Sequence, residues 1–141
     1  MKILFDTNVV IDAFTMRDYD YKASRELLRK VVSEEIEGYL SAKQITDIYY
    51  ILRKYVSDEN TKKQIIKDLL NIFKILPILP SDLSASFNTG IPDFEDAVLE
   101  ETARVNMINY IVTRNIKDFE KSKLAIVTPE ELVALLNMQT N

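Results

Sequence analysis

Two features of the chain predict an α/β fold, a three-layer α/β/α sandwich around a central, mostly parallel sheet. Short apolar or β-branched runs recur along the sequence, and segments of ten or more residues with apolar positions at helical spacing separate them. Crossovers of that length join parallel strands and pack back onto the sheet in the right-handed sense. Only 2 glycines and 4 prolines interrupt regular structure, which favours long helices. No linker, repeat or low-complexity tract divides the sequence. Residues 1–141 therefore read as one domain, long enough to bury a core without disulfides or a structural metal.

Lys2-Ile3-Leu4-Phe5 is an apolar run that stops at Asp6-Thr7-Asn8, a cluster able to turn the chain and cap a helix beginning near Val9. Residues 21–37 carry Ala23, Leu27, Leu28, Val31, Val32 and Ile36 at helical spacing with charged residues between them, the pattern of an amphipathic helix. Gly38-Tyr39-Leu40 reads as a second strand, after which Ser41 caps a helix to about Val56. Ser57-Asp58 opens another helix that runs past Ile65, Ile66, Leu69 and Leu70 to Phe73, and residues 74–79 form a third extended segment. Residues 81–87 suit a short helix and 88–92 are the clearest loop, from which Pro92-Asp93 leads into a helix lasting to about Met107. Residues 110–113 and 124–127 are β-branched strands, and Pro129-Glu130-Glu131 starts a closing helix capped by Thr128. Such sheets bind ligands beyond the carboxyl ends of their strands, so Asp6, Ser41, Thr113 and Asn115 are expected on one rim.

The chain has no Cys and no His. That removes thiolate nucleophiles, imidazole acid/base catalysis and thiolate- or imidazole-bound zinc together. Carboxylates, Lys, Tyr or hydroxyls must carry any hydrolytic step, and carboxylates prefer hard cations such as Mg²⁺ or Mn²⁺. A net charge of −4 and a pI near 4.9 argue against the broad basic footprint of a non-specific nucleic-acid binder. An acidic metal centre is still compatible with a phosphate substrate, because its cations restore positive potential locally. Asp6 comes too early for a signal-peptide apolar region and no apolar run approaches membrane-spanning length. A soluble cytoplasmic protein without membrane contact is expected.

Three places gather acids. Asp6 directly follows a strand and is held at the sheet edge, where it either ligates a cation or caps the next helix. Asp93, Asp96 and Glu100 fall at i, i+3 and i+7 on one face of a helix, with Glu95 and Glu101 adding charge nearby. Favourable first-turn acids account for that pattern, and a bound cation offsetting their repulsion accounts for it equally. Asp47 lies opposite the apolar stripe of Ile45, Ile48, Tyr49, Leu52 and Val56, as a solvated residue or as a ligand. Lys62, Lys63 and Lys67 form a basic patch, as do Arg25 and Arg29, and solvated helix faces explain both.

Ile3-Leu4-Phe5-Asp6-Thr7-Asn8, an acid shortly after Ser41, Asp93-Phe94-Glu95-Asp96-Ala97 and the segment 110–119 stand in the order and spacing of PIN-domain nuclease motifs. The chain resembles that family over almost its whole length, and its VapC-like toxins in particular. The resemblance implies a PIN-like sandwich, a metal-dependent endoribonuclease using one or two Mg²⁺ or Mn²⁺ ions to hydrolyse RNA, a homodimer, and a cognate antitoxin. By it, Asp6, Asp47 and Asp96 match the first three family acids, catalytic and metal-binding, and Thr113-Arg114-Asn115 matches the segment bearing the fourth. Asp47 stands where Glu is common, and Asn115 where Asp is. An amide can coordinate through its carbonyl oxygen but brings no charge, so Asp93 and Asp118 are candidates to compensate. Asn8, Ser41 and Thr113 would orient ligands or water. Two alternatives remain open: an inactive PIN-like module that binds RNA or protein, and an aspartate-nucleophile phosphatase, for which Asn8 stands where a second acid is needed.

Overall fold

The computed structural model of the chain describes residues 1–16 and 21–139. Five strands, β1 (Lys2–Phe5), β2 (Glu37–Ser41), β3 (Lys74–Leu76), β4 (Tyr110–Val112) and β5 (Ala125–Val127), form one sheet in the order β3-β2-β1-β4-β5. Every neighbouring pair is parallel, with Phe5 opposite Val112 and Ser41 opposite Leu76. The helices that return the chain are α1 (Thr7–Thr15), α2 (Tyr21–Val32), α3 (Ala42–Leu52), α4 (Glu59–Ile72), α5 (Pro80–Ser86), α6 (Phe94–Val105) and α7 (Pro129–Gln139), with a 3₁₀ turn at Ile116–Phe119.

Strand side chains alternate between the two faces, so β1 feeds two cores. Ile3 and Phe5 pack with Val9, Leu27, Ile48, Leu69 and Leu132 from α1, α2, α3, α4 and α7. Leu4 points the other way, to Ala97, Leu99 and Ala103 of α6 and to Phe119. The sheet is therefore covered on both faces, as an all-parallel sheet requires. Each fully buried Leu or Ile contributes about 1.5–3 kcal/mol. At Gly38 the sheet and helices approach so closely that an added Cβ would lie 2.8 Å from the Phe73 ring and 2.9 Å from Val31.

Several elements end sooner than the periodicity predicts. The amphipathic pattern of 21–37 continues to Ile36, yet α2 stops at Val32. Glu34 takes a left-handed φ of 61°, the Glu35 N–H donates to the Lys30 carbonyl and the Glu34 N–H to the Val31 carbonyl, closing the helix in a Schellman motif. Ile36 still reaches the core from the loop, which is why the periodicity runs on past the helix. The helix of Ser41 stops at Leu52, with the Val56 N–H bonded back to the Leu52 carbonyl through a turn. The third strand is three residues long, because Pro80 begins α5 and the Leu79 N–H donates to Asp82. α1 begins at Thr7, two residues before the expected start, capped by Asp6.

Candidate metal centre

β1 is central, and the chain builds outward first through β2 and β3, then crosses to β4 and β5 on its other side. The carboxyl ends of β1 and β4 flank the point where strand order reverses, the place where sheets of this kind bind ligands. Asp6 is the first residue past β1 and Thr113 the first past β4.

Asp6 is fixed from both sides. One carboxylate oxygen accepts the Thr7 N–H at 2.8 Å and the other the Thr113 hydroxyl at 2.6 Å. Below it, the Gln44 amide donates to the Phe5 carbonyl at 2.7 Å, so the first turn of α3 clamps the end of β1. Ser41 belongs to the same clamp: its hydroxyl accepts the Gln44 N–H, and its own N–H donates to Gln44. The Ser41 hydroxyl is thus engaged as a helix cap while its residue walls the site. Burial pushes the Asp6 carboxyl above the usual carboxylate range, against the bonds from Thr113 and Thr7, and the nearby charge of Asp118 adds to the rise.

Asp96 stands opposite, in the first turn of α6, which Asp93 caps by accepting the Asp96 N–H at 3.0 Å. Its carboxyl is pushed up to about 7, first by burial and then by the charges of Asp93, Asp6, Asp118 and Glu95. Asp118 therefore lies within electrostatic reach of both Asp6 and Asp96, on the 3₁₀ turn whose next residue, Phe119, is buried in the core. Glu100, expected beside Asp93 and Asp96, does not join the rim. It is buried and accepts the Lys123 N–H at 3.0 Å, away from the rim. Two helical turns are about 11 Å, far enough to carry α6 from the rim into the protein. Glu101 is buried too and pairs with Arg104.

Asp47 lies across the cleft on α3, where its Oδ2 is 2.7 Å from the Lys43 ammonium, which also reaches Glu95 at 3.3 Å. The cleft, of about 130 Å³, is lined by the polar Asp6, Asp47, Asp96 and Lys43 and by the apolar Leu83, Phe94 and Leu99. An adjoining hollow brings Asn8, Tyr50 and Asn115 beside the same three aspartates. Among the described residues, no three acidic side chains are gathered closely enough to hold an ion as they stand.

Sequence reasoning missed Lys43, Gln44 and the partners of Arg114. The only signal for Lys43 was its i,i+4 spacing from Asp47. Arg114 turns away from Asp6 toward α1, α2 and α7, donating to Asp12, Ser24 and Glu130. Lys62 does not add to a basic surface, being buried, paired with Glu59 at 2.9 Å and lying over the Tyr49 ring.

The PIN domain family model matches residues 2–117. This chain belongs to the PIN domain family. Its sequence is 26% identical over 136 residues to Ribonuclease VapC1 of Aquifex aeolicus, covering 92% of each chain. Among solved structures, a toxin–antitoxin complex from Klebsiella pneumoniae contains a chain that superposes with a TM-score of 0.68 at 25% identity, over 90% of this chain and 97% of that one. VapBC2 of Rickettsia felis, bound to a DNA fragment from its promoter, shares the fold at a TM-score of 0.66 and 17% identity, over 90% of this chain and 97% of its own. This PIN domain chain has, among the described residues, no helix long and apolar enough to cross a membrane.

Proposed function

We propose that this PIN domain chain is a Mg²⁺- or Mn²⁺-dependent endoribonuclease that hydrolyses RNA phosphodiester bonds, acting in the cytoplasm as the toxin of a toxin–antitoxin pair. The observation that carries this reading is that Asp6, Asp47 and Asp96 line one cleft beyond the carboxyl ends of the strands, where burial first and then the charges of Asp93, Asp6, Asp118 and Glu95 push the Asp96 carboxyl up to about 7. Negative charge concentrated beyond the carboxyl ends of the strands is the arrangement a divalent cation relieves. The donors fit a hard ion: carboxylate oxygens from Asp6, Asp96 and Asp47, and a carbonyl oxygen from Asn115. An ion held by these donors would supply Lewis-acid polarisation of the scissile phosphate and activation of a water nucleophile.

The side chains divide the remaining work. Asp6 is oriented at the strand end by Thr113 and Thr7, which fix the direction from which its carboxylate would ligate. Asp96 faces it from α6, with Asp93 fixing that helix end and Asp118 adding charge on the side where Asn115 has none. Asn8 borders the hollow, suitably placed to orient substrate or water. Similarity to a ribonuclease and to the protein of a toxin–antitoxin complex supports RNA as substrate and an antitoxin as partner. For the homodimer, Leu79, Leu83 and Phe87 follow one another at i, i+4 and i+8 and are exposed, with Phe87 stacked on Phe94, an apolar surface suited to a second copy. The neutral Asn115 and the lack, among the described residues, of a gathered acidic trio favour, as a second reading, a catalytically silent PIN module.

Incubating the purified chain with RNA and Mg²⁺ or Mn²⁺ separates the two readings. Cleavage should yield 5′-phosphate and 3′-hydroxyl ends and vanish with excess chelator or with Asp6→Asn. Cyclic-phosphate ends, or undiminished cleavage in chelator, would overturn the metal-dependent mechanism, and no cleavage under any condition would favour the silent module.

A further inference from the structure

Lys43 occupies the first turn of α3, the helix end at which the dipole disfavours a cation. It nevertheless folds back onto two acids. Its ammonium is 2.7 Å from Asp47 and 3.3 Å from Glu95, linking α3 to α6 across the mouth of the cleft, while its side chain stays about half exposed. Asp47 borders the same hollows as Asp6 and Asp96, yet these acids are not gathered as an ion would gather them.

We propose that Lys43 is the built-in counter-cation of the ion-free centre, holding Asp47 on the α3 side and releasing it when a divalent cation binds at Asp6 and Asp96. The inference rests on reading the centre as a metal site. Two features make the exchange feasible. A half-exposed i,i+4 lysine–aspartate pair is weak, and a lysine stem has the length and freedom to move aside without disturbing the backbone. A divalent ion beside Asp6 and Asp96 then competes for the Asp47 carboxylate with twice the charge. Lys43 is thus a positioning residue, acting on metal binding through Asp47 and neutralising the rim when no ion is present.

The test is Mn²⁺ titration followed by calorimetry on the full chain, with folding checked by circular dichroism, for wild type, Lys43→Gln and Lys43→Arg, each alone and combined with Asp47→Asn. Lys43→Gln should tighten Mn²⁺ binding about threefold to tenfold, Lys43→Arg should restore wild-type affinity, and the gain should disappear when Asp47 is Asn. Wild-type binding with no change in Lys43→Gln would overturn the role of Lys43 and leave the metal site standing. An equal gain in both backgrounds would also overturn it, since the lysine would then act as a distant charge and not through Asp47. A folded wild type that binds no Mn²⁺ would overturn both the metal site and this role.

Discussion

At the scale of single residues, Asp96 concentrates the electrostatic cost of the centre in one side chain. Burial and the neighbouring acids push its carboxyl up to about 7 in the folded chain, against an ordinary value of 3.8. The folded chain thus holds that proton more tightly than the unfolded chain does. The stability it contributes is complete below about pH 4 and is lost as pH rises toward about 7. Asp96→Asn removes the group that must ionise, so the ion-free variant should melt above wild type at about pH 7.5, by roughly 1–2 kcal/mol after allowing for solvent screening, with the gap closing toward about pH 4. Mn²⁺ should raise the wild-type melting temperature and scarcely move the variant, because an ion that binds only the native state stabilises it by mass action. Melting curves across this pH range, with and without Mn²⁺, check both statements. A gap independent of pH would sink the charge argument.

The secondary-structure elements are closed by an unusual set of residues for a chain so poor in glycine. Met16, Glu34 and Met107, all with positive φ, follow α1, α2 and α6. Glu34 and Met107 sit in the same double hydrogen-bonded closure: the Ile108 N–H reaches the Ala103 carbonyl and the Met107 N–H the Arg104 carbonyl, as Glu35 and Glu34 do at α2. A side chain in this region bears a steric penalty that glycine escapes, while glycine loses more entropy on folding. The net favours glycine, so Glu34→Gly should stabilise the chain by about 0.5–1 kcal/mol with no effect on metal binding. Denaturant unfolding measures it directly. A destabilised variant would mean that the Glu34 side chain contributes more than its backbone conformation costs. Thr102 presents the opposite problem inside α6, with a fully buried hydroxyl that has no hydrogen-bond partner among the described residues.

On the scale of the whole molecule, Arg114 couples elements that the sheet alone does not join. From the loop after β4 its guanidinium reaches Asp12 on α1 at 2.9 Å, Ser24 on α2 at 3.2 Å and Glu130 on α7 at 3.2 Å. Asp12 is almost fully buried, so its charge depends on partners of this kind. Arg114→Ala should therefore destabilise the chain by about 3 kcal/mol, because removing one member of a buried pair costs far more than the pair contributes against an apolar replacement. The Mn²⁺ affinity of the folded fraction should change little, since Thr113, one residue earlier, faces Asp6 on the other side. Stability loss under about 1 kcal/mol would show that Asp12 is supported adequately without the guanidinium.

Local pattern alone determined the alternation of strands and helices, the position of Asp6 at a strand end and the clustering of Asp93 and Asp96 at a helix start, because periodicity, capping and strand-end position are properties of neighbouring residues. The order of the motifs along the chain then sufficed to suggest the PIN family. Only the tertiary structure decided which acids meet. Glu100 shares a face with Asp93 and Asp96 in sequence but is drawn inward to the Lys123 N–H. Thr113 reaches Asp6 across 107 positions of sequence, and Lys43 meets Glu95 across 52, through the pairing of β1 with β4 and the approach of α3 to α6. The ends of α2 and α3 were hidden for a related reason. Ile36 and Val56 keep the apolar rhythm while packing from turns, since burial rewards an apolar side chain whatever the backbone that carries it.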